Sequence, residues 1–131
     1  MWSNRLKIEI TDPTKLVDFD LNLLVAELEG YKFDENGDAY EEVGLLKVPV
    51  YFTGNYEKMY RLLINNQIDI NWTGVPGMER CKASAWADQE NCSFPVTSKQ
   101  ADAERAILEV YVQMHIKREE VKNASIQTDQ G

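Results

Sequence analysis

The sequence predicts an α+β fold in which a mainly antiparallel sheet of about four to five strands packs with three helices, as in a sandwich. The chain has 131 residues, which suits one compact domain. Several short segments alternate polar and apolar residues, as half-buried strands do, and three others carry apolar residues at helical spacing. Because consecutive predicted strands lie between the predicted helices, we expect the sheet to be mainly antiparallel.

The first half of the chain is predicted to contain a strand, a helix and a second strand region. Residues 5–10 alternate, and a helix follows with Asp18 or Asp20 as its N-cap and Gly30 at its C′ position. Residues 34–38 indicate a turn or loop. Residues 43–52 are rich in strand formers, although Pro49 limits part of this segment to an edge strand or a loop.

The second helix is predicted to begin after Asn55, a favourable N-cap residue. Strands are expected at residues 68–72 and 80–87, because both segments alternate. In the second of these strands the small side chains lie on one side. The predicted inward face of the helix consists of Tyr56, Met59, Tyr60 and Leu63.

The last helix carries two apolar stripes, which is more apolar surface than one sheet covers. Thr97 and Gln100 have the spacing of a capping box, and the periodic pattern continues to about Arg118. Another element could cover the second stripe, or it could form a homodimer contact. We therefore expect a domain at residues 1–118 and a polar, flexible tail at 119–131. The second stripe consists of Leu108, Val112 and Ile116.

The charge of the chain excludes some classes of partner. The net charge is −8, so we expect no direct binding to nucleic acid or to an anionic membrane. No transmembrane segment or signal peptide is visible, so we expect a cytoplasmic protein. Five carboxylates form a predicted acidic face, which either keeps the protein soluble or docks on a basic protein surface. They are Asp34, Glu35, Asp38, Glu41 and Glu42.

No catalytic or metal-binding motif is present, so we expect no enzymatic activity, metal or other cofactor. His115 is the single histidine, and nothing in the local sequence identifies a partner that would orient its ring. Asp34, Asn36 and Asp38 match the first oxygen positions of an EF-hand loop. The match fails at Leu45, where calcium requires a bidentate glutamate.

A second candidate site lies around the start of the second helix. Its hydroxyl and amide groups sit at a helix N-terminus, where free backbone N–H groups attract anions. Cationic and aromatic side chains from neighbouring strand segments could add a stacking wall. The predicted ligand-binding residues are Tyr51, Thr53, Asn55, Tyr56, Arg80, Lys82 and Trp86.

Residues 21–33, with Leu24-Val25-Ala26-Glu27 before Gly30, resemble the opening "LVAE" helix of the phage ABA-sandwich domain family. Residues 48–56 are similar to its P-x-Y-S-T-D segment, although Phe52 replaces Ser and Gly54-Asn55 replaces Asp. Residues 82–87 and 101–112 resemble its closing strand and helix. The resemblance implies a small phage or prophage protein acting in the bacterial cytoplasm. It implies no activity and no catalytic residues.

Our main hypothesis is a non-enzymatic phage accessory protein. It binds and inhibits a host protein that has a basic surface and is part of a defence system. The acidic face, the second apolar stripe and the lack of catalytic motifs favour it. A protein that sequesters a small nucleotide-like signal is the second hypothesis. A phage nucleotide-metabolism enzyme is the third.

Overall fold

The computed structural model describes residues 12–72 and 81–130, with side chains up to residue 124. Within this part of the chain there are three α-helices and six strands. The strand predicted at residues 5–10 and the candidate ligand residue Arg80 lie outside it. The helices are α1 (Asp18–Leu28), α2 (Tyr56–Asn65) and α3 (Ala103–Gln130); the strands are β1 (Lys32–Phe33), β2 (Ala39–Val43), β3 (Leu46–Pro49), β4 (Asp69–Trp72), β5 (Cys81–Asp88) and β6 (Ser93–Gln100).

The strands form two antiparallel sheets of three, in the orders β1-β2-β3 and β4-β5-β6. The α+β class is confirmed, but the prediction of four to five strands in one sheet is wrong. Among the described residues, β1–β3 before α2 pair with one another and β4–β6 after it pair with one another, which gives two sheets. The predicted strand region at 43–52 also contains a turn at Gly44, whose φ of +63° is readily adopted only by glycine. With Leu45 it makes a two-residue turn, since Val43 pairs with Leu46. The predicted strand region at 43–52 therefore contains the last residue of β2, the turn and the return strand β3.

The edge position of Pro49 follows from the hairpin register. The N–H of Val50 donates to the carbonyl of Ala39 at 3.0 Å, so Val50 is a hydrogen-bonded position opposite β2. Hydrogen-bonded positions alternate along a strand, so the nitrogen of Pro49 faces the open edge of the sheet. Proline lacks an N–H to offer there. The prediction that Pro49 belongs to an edge strand is confirmed.

Helix α1 ends as predicted but does not begin as predicted. Its N-cap is Val17, which provides no capping side chain, and Asp18 and Asp20 lie in the first turn. At the other end, Gly30 has a φ of +87° and its N–H donates to Glu27 at 2.9 Å. The N–H of Tyr31 donates to Ala26 at 3.0 Å, which completes a Schellman motif.

Helix α2 begins after Asn55, as predicted. The side chain of Asn55 accepts a hydrogen bond from the N–H of Lys58 at 3.1 Å. Its predicted inward face is partly wrong. Met59 and Leu62 are buried and Leu63 is partly buried, whereas Tyr56 and Tyr60 are 84% and 66% exposed, so the inward face is rotated toward Leu62.

Helix α3 is the central element of the core. It contacts β5, β6, α1 and α2, and every residue from Ala106 to Val112 is buried. Consecutive helical residues differ by about 100°, so this stretch is covered on all sides. Leu108 and Val112 are therefore buried inside the chain, and Ile116 is partly buried against the core. Of the two alternatives for the second stripe, coverage by other elements holds at Leu108 and Val112, so these two residues are not available for a homodimer contact.

The beginning and end of α3 also differ from the prediction. Thr97 and Gln100 belong to β6, and the helix starts after Asp102, whose carboxylate accepts the N–H of Glu104 at 3.0 Å. The capping-box prediction is wrong because Gln100 instead donates to Glu109 at 3.1 Å. Since no Gly or Pro interrupts it, the helix continues past Arg118 to Gln130.

A buried ion pair ties α3 to the segment before α1. Glu109 is 0% exposed and accepts hydrogen bonds from Ser98, Gln100 and Arg105, the last at 2.6 Å. Arg105 also pairs with Asp18 at 2.8 Å and donates to the carbonyl of Leu16. Burial opposes the charge of Arg105, but the bonds to Glu109 and Asp18 outweigh it and raise its pKa. The charge of Glu109 is thus compensated within the core.

Asn22 joins α1 to the segment that precedes α2. Its amide nitrogen donates to the Asp18 carbonyl at 2.8 Å and to the Thr53 hydroxyl at 2.9 Å. Its amide oxygen accepts the N–H groups of Phe52 at 2.9 Å and Thr53 at 3.1 Å. Asn22 is 4% exposed, so all its hydrogen-bonding capacity is used inside the protein.

Asn22→Ala is expected to lower the free energy of unfolding by about 3 kcal/mol, because the buried N–H of Phe52 and the partly buried N–H of Thr53 lose their acceptor. Urea unfolding monitored by circular dichroism measures the change. Asn36→Ala, in an exposed turn, is the matched control and should change stability by less than about 0.5 kcal/mol. Equal effects of the two substitutions would contradict this role of Asn22.

Tyr111→Phe is expected to cost about 2 kcal/mol at neutral pH and less at alkaline pH. The buried Tyr111 hydroxyl donates to Glu29 at 2.6 Å. Burial, followed by this bond, raises the pKa of Tyr111. The folded state therefore keeps a proton that the unfolded chain loses above pH about 10, so wild-type stability falls there. Urea unfolding at pH 8 and 11 tests this, with the exposed Tyr60→Phe as control; a penalty independent of pH would refute it.

Candidate binding surface

A small cavity lies where α1 approaches the first sheet. Its volume is about 200 Å³. Aromatic rings, two carboxylates and one lysine contribute to its walls, and the Phe19 and Tyr51 rings are half exposed. The cavity brings Tyr51, from the predicted ligand set, together with Asp34 and Asp38, from the predicted acidic face. Its lining consists of Phe19, Asn22, Leu23, Asp34, Asp38, Ala39, Tyr40, Lys47, Pro49, Val50 and Tyr51.

The turn between β1 and β2 fixes the carboxylate wall. One oxygen of Asp34 accepts the N–H groups of Asn36 and Asp38, both at 2.9 Å. Gly37, with a φ of +84°, allows the chain to reverse. The predicted turn at 34–38 is confirmed. In residues 12–72 and 81–130, no group of three or more His, Cys, Asp or Glu side chains is arranged to hold a metal ion.

The five predicted acidic residues differ in how their charge is compensated. Glu41 pairs with Lys58 at 3.0 Å and Glu42 pairs with Lys32 at 3.4 Å. Burial opposes the charge of Lys58, but the bond to Glu41 outweighs it and raises the pKa of Lys58. The carboxylates of Asp34 and Asp38, by contrast, have no ion-pair partner within the described parts of the chain.

The predicted acidic residues do not share one face. Glu41 and Glu42 are neighbours on β2, so their side chains point to opposite faces of the sheet. Glu41 points toward α2, where Lys58 lies, and Glu42 lies on the face of Tyr40 and Lys47. Asp34 and Asp38 line the cavity, whereas Glu35 is exposed in the turn.

Lysine and tyrosine side chains already meet in the cavity. The ammonium nitrogen of Lys47 lies 4.8 Å from the centroid of the Tyr40 ring. This distance is within the range of a cation–π contact. The wall is therefore chemically suited to a cation.

The other predicted ligand residues do not converge on this cavity. The Thr53 hydroxyl is bound to Asn22, and Asn55 caps α2. The N–H of Gly54 donates to the Glu104 carboxylate at 2.8 Å. This carboxylate therefore occupies the place before α2 where an anionic ligand was expected to bind. Tyr56 lines a different groove, between α2 and α3. Lys82 and Trp86 lie on the face of β5 opposite its buried alanines.

The tip of the β2–β3 hairpin is an exposed apolar patch. The exposed fractions are 57% for Val43, 104% for Leu45 and 69% for Leu46. Val43 and Leu46 are directly paired, so their side chains share a face, and Val48 follows on the same face. Patches of this kind mark sites of interaction with other proteins.

Sequence reasoning missed Phe19, Tyr40, Lys47 and this hairpin tip. The available signal was Gly44-Leu45, since glycine at the first position of a two-residue turn predicts a hairpin. The single histidine, His115, lies beside the Tyr111 ring in a tilted arrangement, with ring centroids 4.7 Å apart. Among the described residues no helix has the length and apolar character needed to cross a bilayer.

The fold is that of a small α+β protein with two three-stranded antiparallel sheets and three helices. It is similar to the crystal structure of a phage protein from Bacillus cereus ATCC 14579, with a TM-score of 0.56 and 12% sequence identity. The match covers 76% of this chain and 92% of that protein. No protein-family model and no curated protein matches the sequence, so membership of the phage ABA-sandwich family is not confirmed.

Glu41→Gln is expected to destabilise the protein by about 1 kcal/mol, and Glu42→Gln by less than about 0.5 kcal/mol. Glu41 holds the largely buried Lys58, whereas the Lys32–Glu42 pair is in solvent. Thermal unfolding of the two variants, which carry the same charge change, makes the comparison. If the two substitutions destabilise the protein equally, the role assigned to Glu41, which is to pair with the largely buried Lys58, is incorrect.

Proposed function

We propose that this chain is a non-enzymatic phage accessory protein that binds and inhibits a host protein with a basic surface, a component of a defence system. The observation that carries the proposal is the exposed apolar tip at Val43, Leu45 and Leu46, on the same hairpin as the carboxylate-lined cavity. At a protein–protein interface, exposed apolar side chains of this kind become the buried centre, and charged groups orient the partner.

Charge also favours a heterologous partner over a second copy of this chain. At a net charge of −8 two copies repel each other, while a basic surface is attracted and oriented. The buried positions of Leu108 and Val112 remove the earlier argument for a homodimer through α3. The phage origin of the structural neighbour supports a phage setting only through the fold.

The cavity between α1 and the first sheet does not favour the nucleotide-binding alternative. The cavity of about 200 Å³ is smaller than the roughly 300–1,000 Å³ of sites for drug-sized ligands. Its carboxylates would repel phosphate groups. The third hypothesis, a nucleotide-metabolism enzyme, gains no support from a metal-binding cluster, since no group of three or more His, Cys, Asp or Glu side chains among the described residues is placed to hold a metal ion.

The proposal is tested by affinity capture from bacterial host lysate with the full chain as bait. We expect a basic host protein whose capture weakens as salt rises, because screening removes the charge attraction. Leu45→Ser with Leu46→Ser should weaken binding at least tenfold, since truncating the apolar centre of an interface costs more than about 1.4 kcal/mol. The purified host protein should lose activity when the chain is added.

The matched control is Tyr60→Ser with Ile64→Ser, which removes two exposed apolar side chains from α2. This variant should bind as the wild type does. Absence of any specifically captured protein would refute the proposed function. Loss of binding in the α2 variant alone would place the interface elsewhere.

A further inference from the structure

We propose that the cavity between α1 and the first sheet is a receptor for a single cationic side chain, arginine or lysine, presented by the protein partner. This inference rests on the proposed function and specifies the chemistry that the partner must bring. The inference is supported by three features of this one cavity: its aromatic rings, its carboxylates without an ion-pair partner among the described residues, and its small volume.

The carboxylates give the cavity its selectivity for charge. Asp34 uses one oxygen for backbone N–H groups, which holds the carboxylate in a fixed position without neutralising it. Asp38 contributes a second carboxylate to the lining. Because neither has an ion-pair partner in residues 12–72 or 81–130, an incoming cation would gain their attraction without first breaking an ion pair.

The aromatic rings give the cavity its selectivity for shape. Phe19, Tyr40 and Tyr51 come from three separate segments of the chain and present rings to the same space. Guanidinium and ammonium groups bind to the faces of such rings, and arginine does so more often. A volume of about 200 Å³ accepts the end of one side chain but not a nucleotide.

The ammonium group of Lys47 already binds to an aromatic ring of this cavity, and it competes there with a cationic side chain from a partner. Its ammonium group lies over Tyr40 at 4.8 Å and adds a positive charge to the cavity. Removing that charge should therefore strengthen the binding of an external cation. A cavity that served only the packing of α1 against the sheet would show no such gain.

The probe is N-acetyl-arginine amide, titrated into the full ¹⁵N-labelled chain and followed by NMR. We expect saturable shifts of the amide signals of Asp34, Asp38, Tyr40 and Tyr51. The citrulline analogue has nearly the same shape without the charge, and it should bind at least tenfold more weakly. Equal binding of the two probes would overturn the inference.

Three variants complete the test. Asp34→Asn with Asp38→Asn keeps an oxygen acceptor for the turn and should weaken arginine binding at least tenfold. Lys47→Met should strengthen it at least threefold. The control, Asp69→Asn with Glu119→Gln, makes the same change in net charge at exposed positions outside the cavity and should leave binding unchanged. Weakening by the control pair to the same extent would indicate attraction by net charge alone and would refute the inference.

The two proposals can fail separately. If a host protein is captured but the cavity variants bind it as the wild type does and arginine amide does not bind, the cavity is not a receptor and the proposed function stands. If arginine amide binds in the cavity but no host protein is captured, the proposed function fails and the cation site stands.

Discussion

The hydrogen bonds of Asn22 are the constraint on which the candidate surface depends. One wall of the cavity belongs to α1, through Phe19 and Leu23, and the other to the chain between β3 and α2, through Val50 and Tyr51. Asn22 lies on α1 and holds the next two residues of that chain, Phe52 and Thr53, by their backbone. A buried amide cannot leave these bonds without a large penalty, because no water replaces them. The spacing of the two walls is therefore fixed by the core.

A second contact fixes the start of α1. Asp18, in its first turn, pairs with Arg105 on α3, and Arg105 is held in turn by the buried Glu109. Replacing one member of such a group leaves an uncompensated charge in the core. With Asp18 and Asn22 only one helical turn apart, α1 is attached to both α3 and the loop before α2. The surface is thus supported by rigid elements, which lowers the entropic cost of binding.

The sequence predicted those features that depend on neighbouring residues. The stop at Gly30, the cap at Asn55 and the edge position of Pro49 were predicted because each follows from the local chemistry of one residue type. The burial of Leu108 and Val112 was not predicted. Periodicity shows that a helix has an apolar stripe, but it does not show which element covers that stripe. The cavity could not be predicted either. Its residues come from segments that are separated in sequence and joined only by the tertiary fold.

The geometry of the hairpin restricts how a partner can use both parts of the surface. Tyr40 and Lys47 lie on one face of the hairpin and Val43 and Leu46 on the other, so this wall of the cavity and the apolar side chains face opposite ways. Strand addition at the β3 edge is disfavoured, since Pro49 has no N–H to donate there. A partner that contacts both parts must therefore reach around this edge with its side chains. Its apolar contacts would supply most of the affinity, and its cationic side chain would set the orientation.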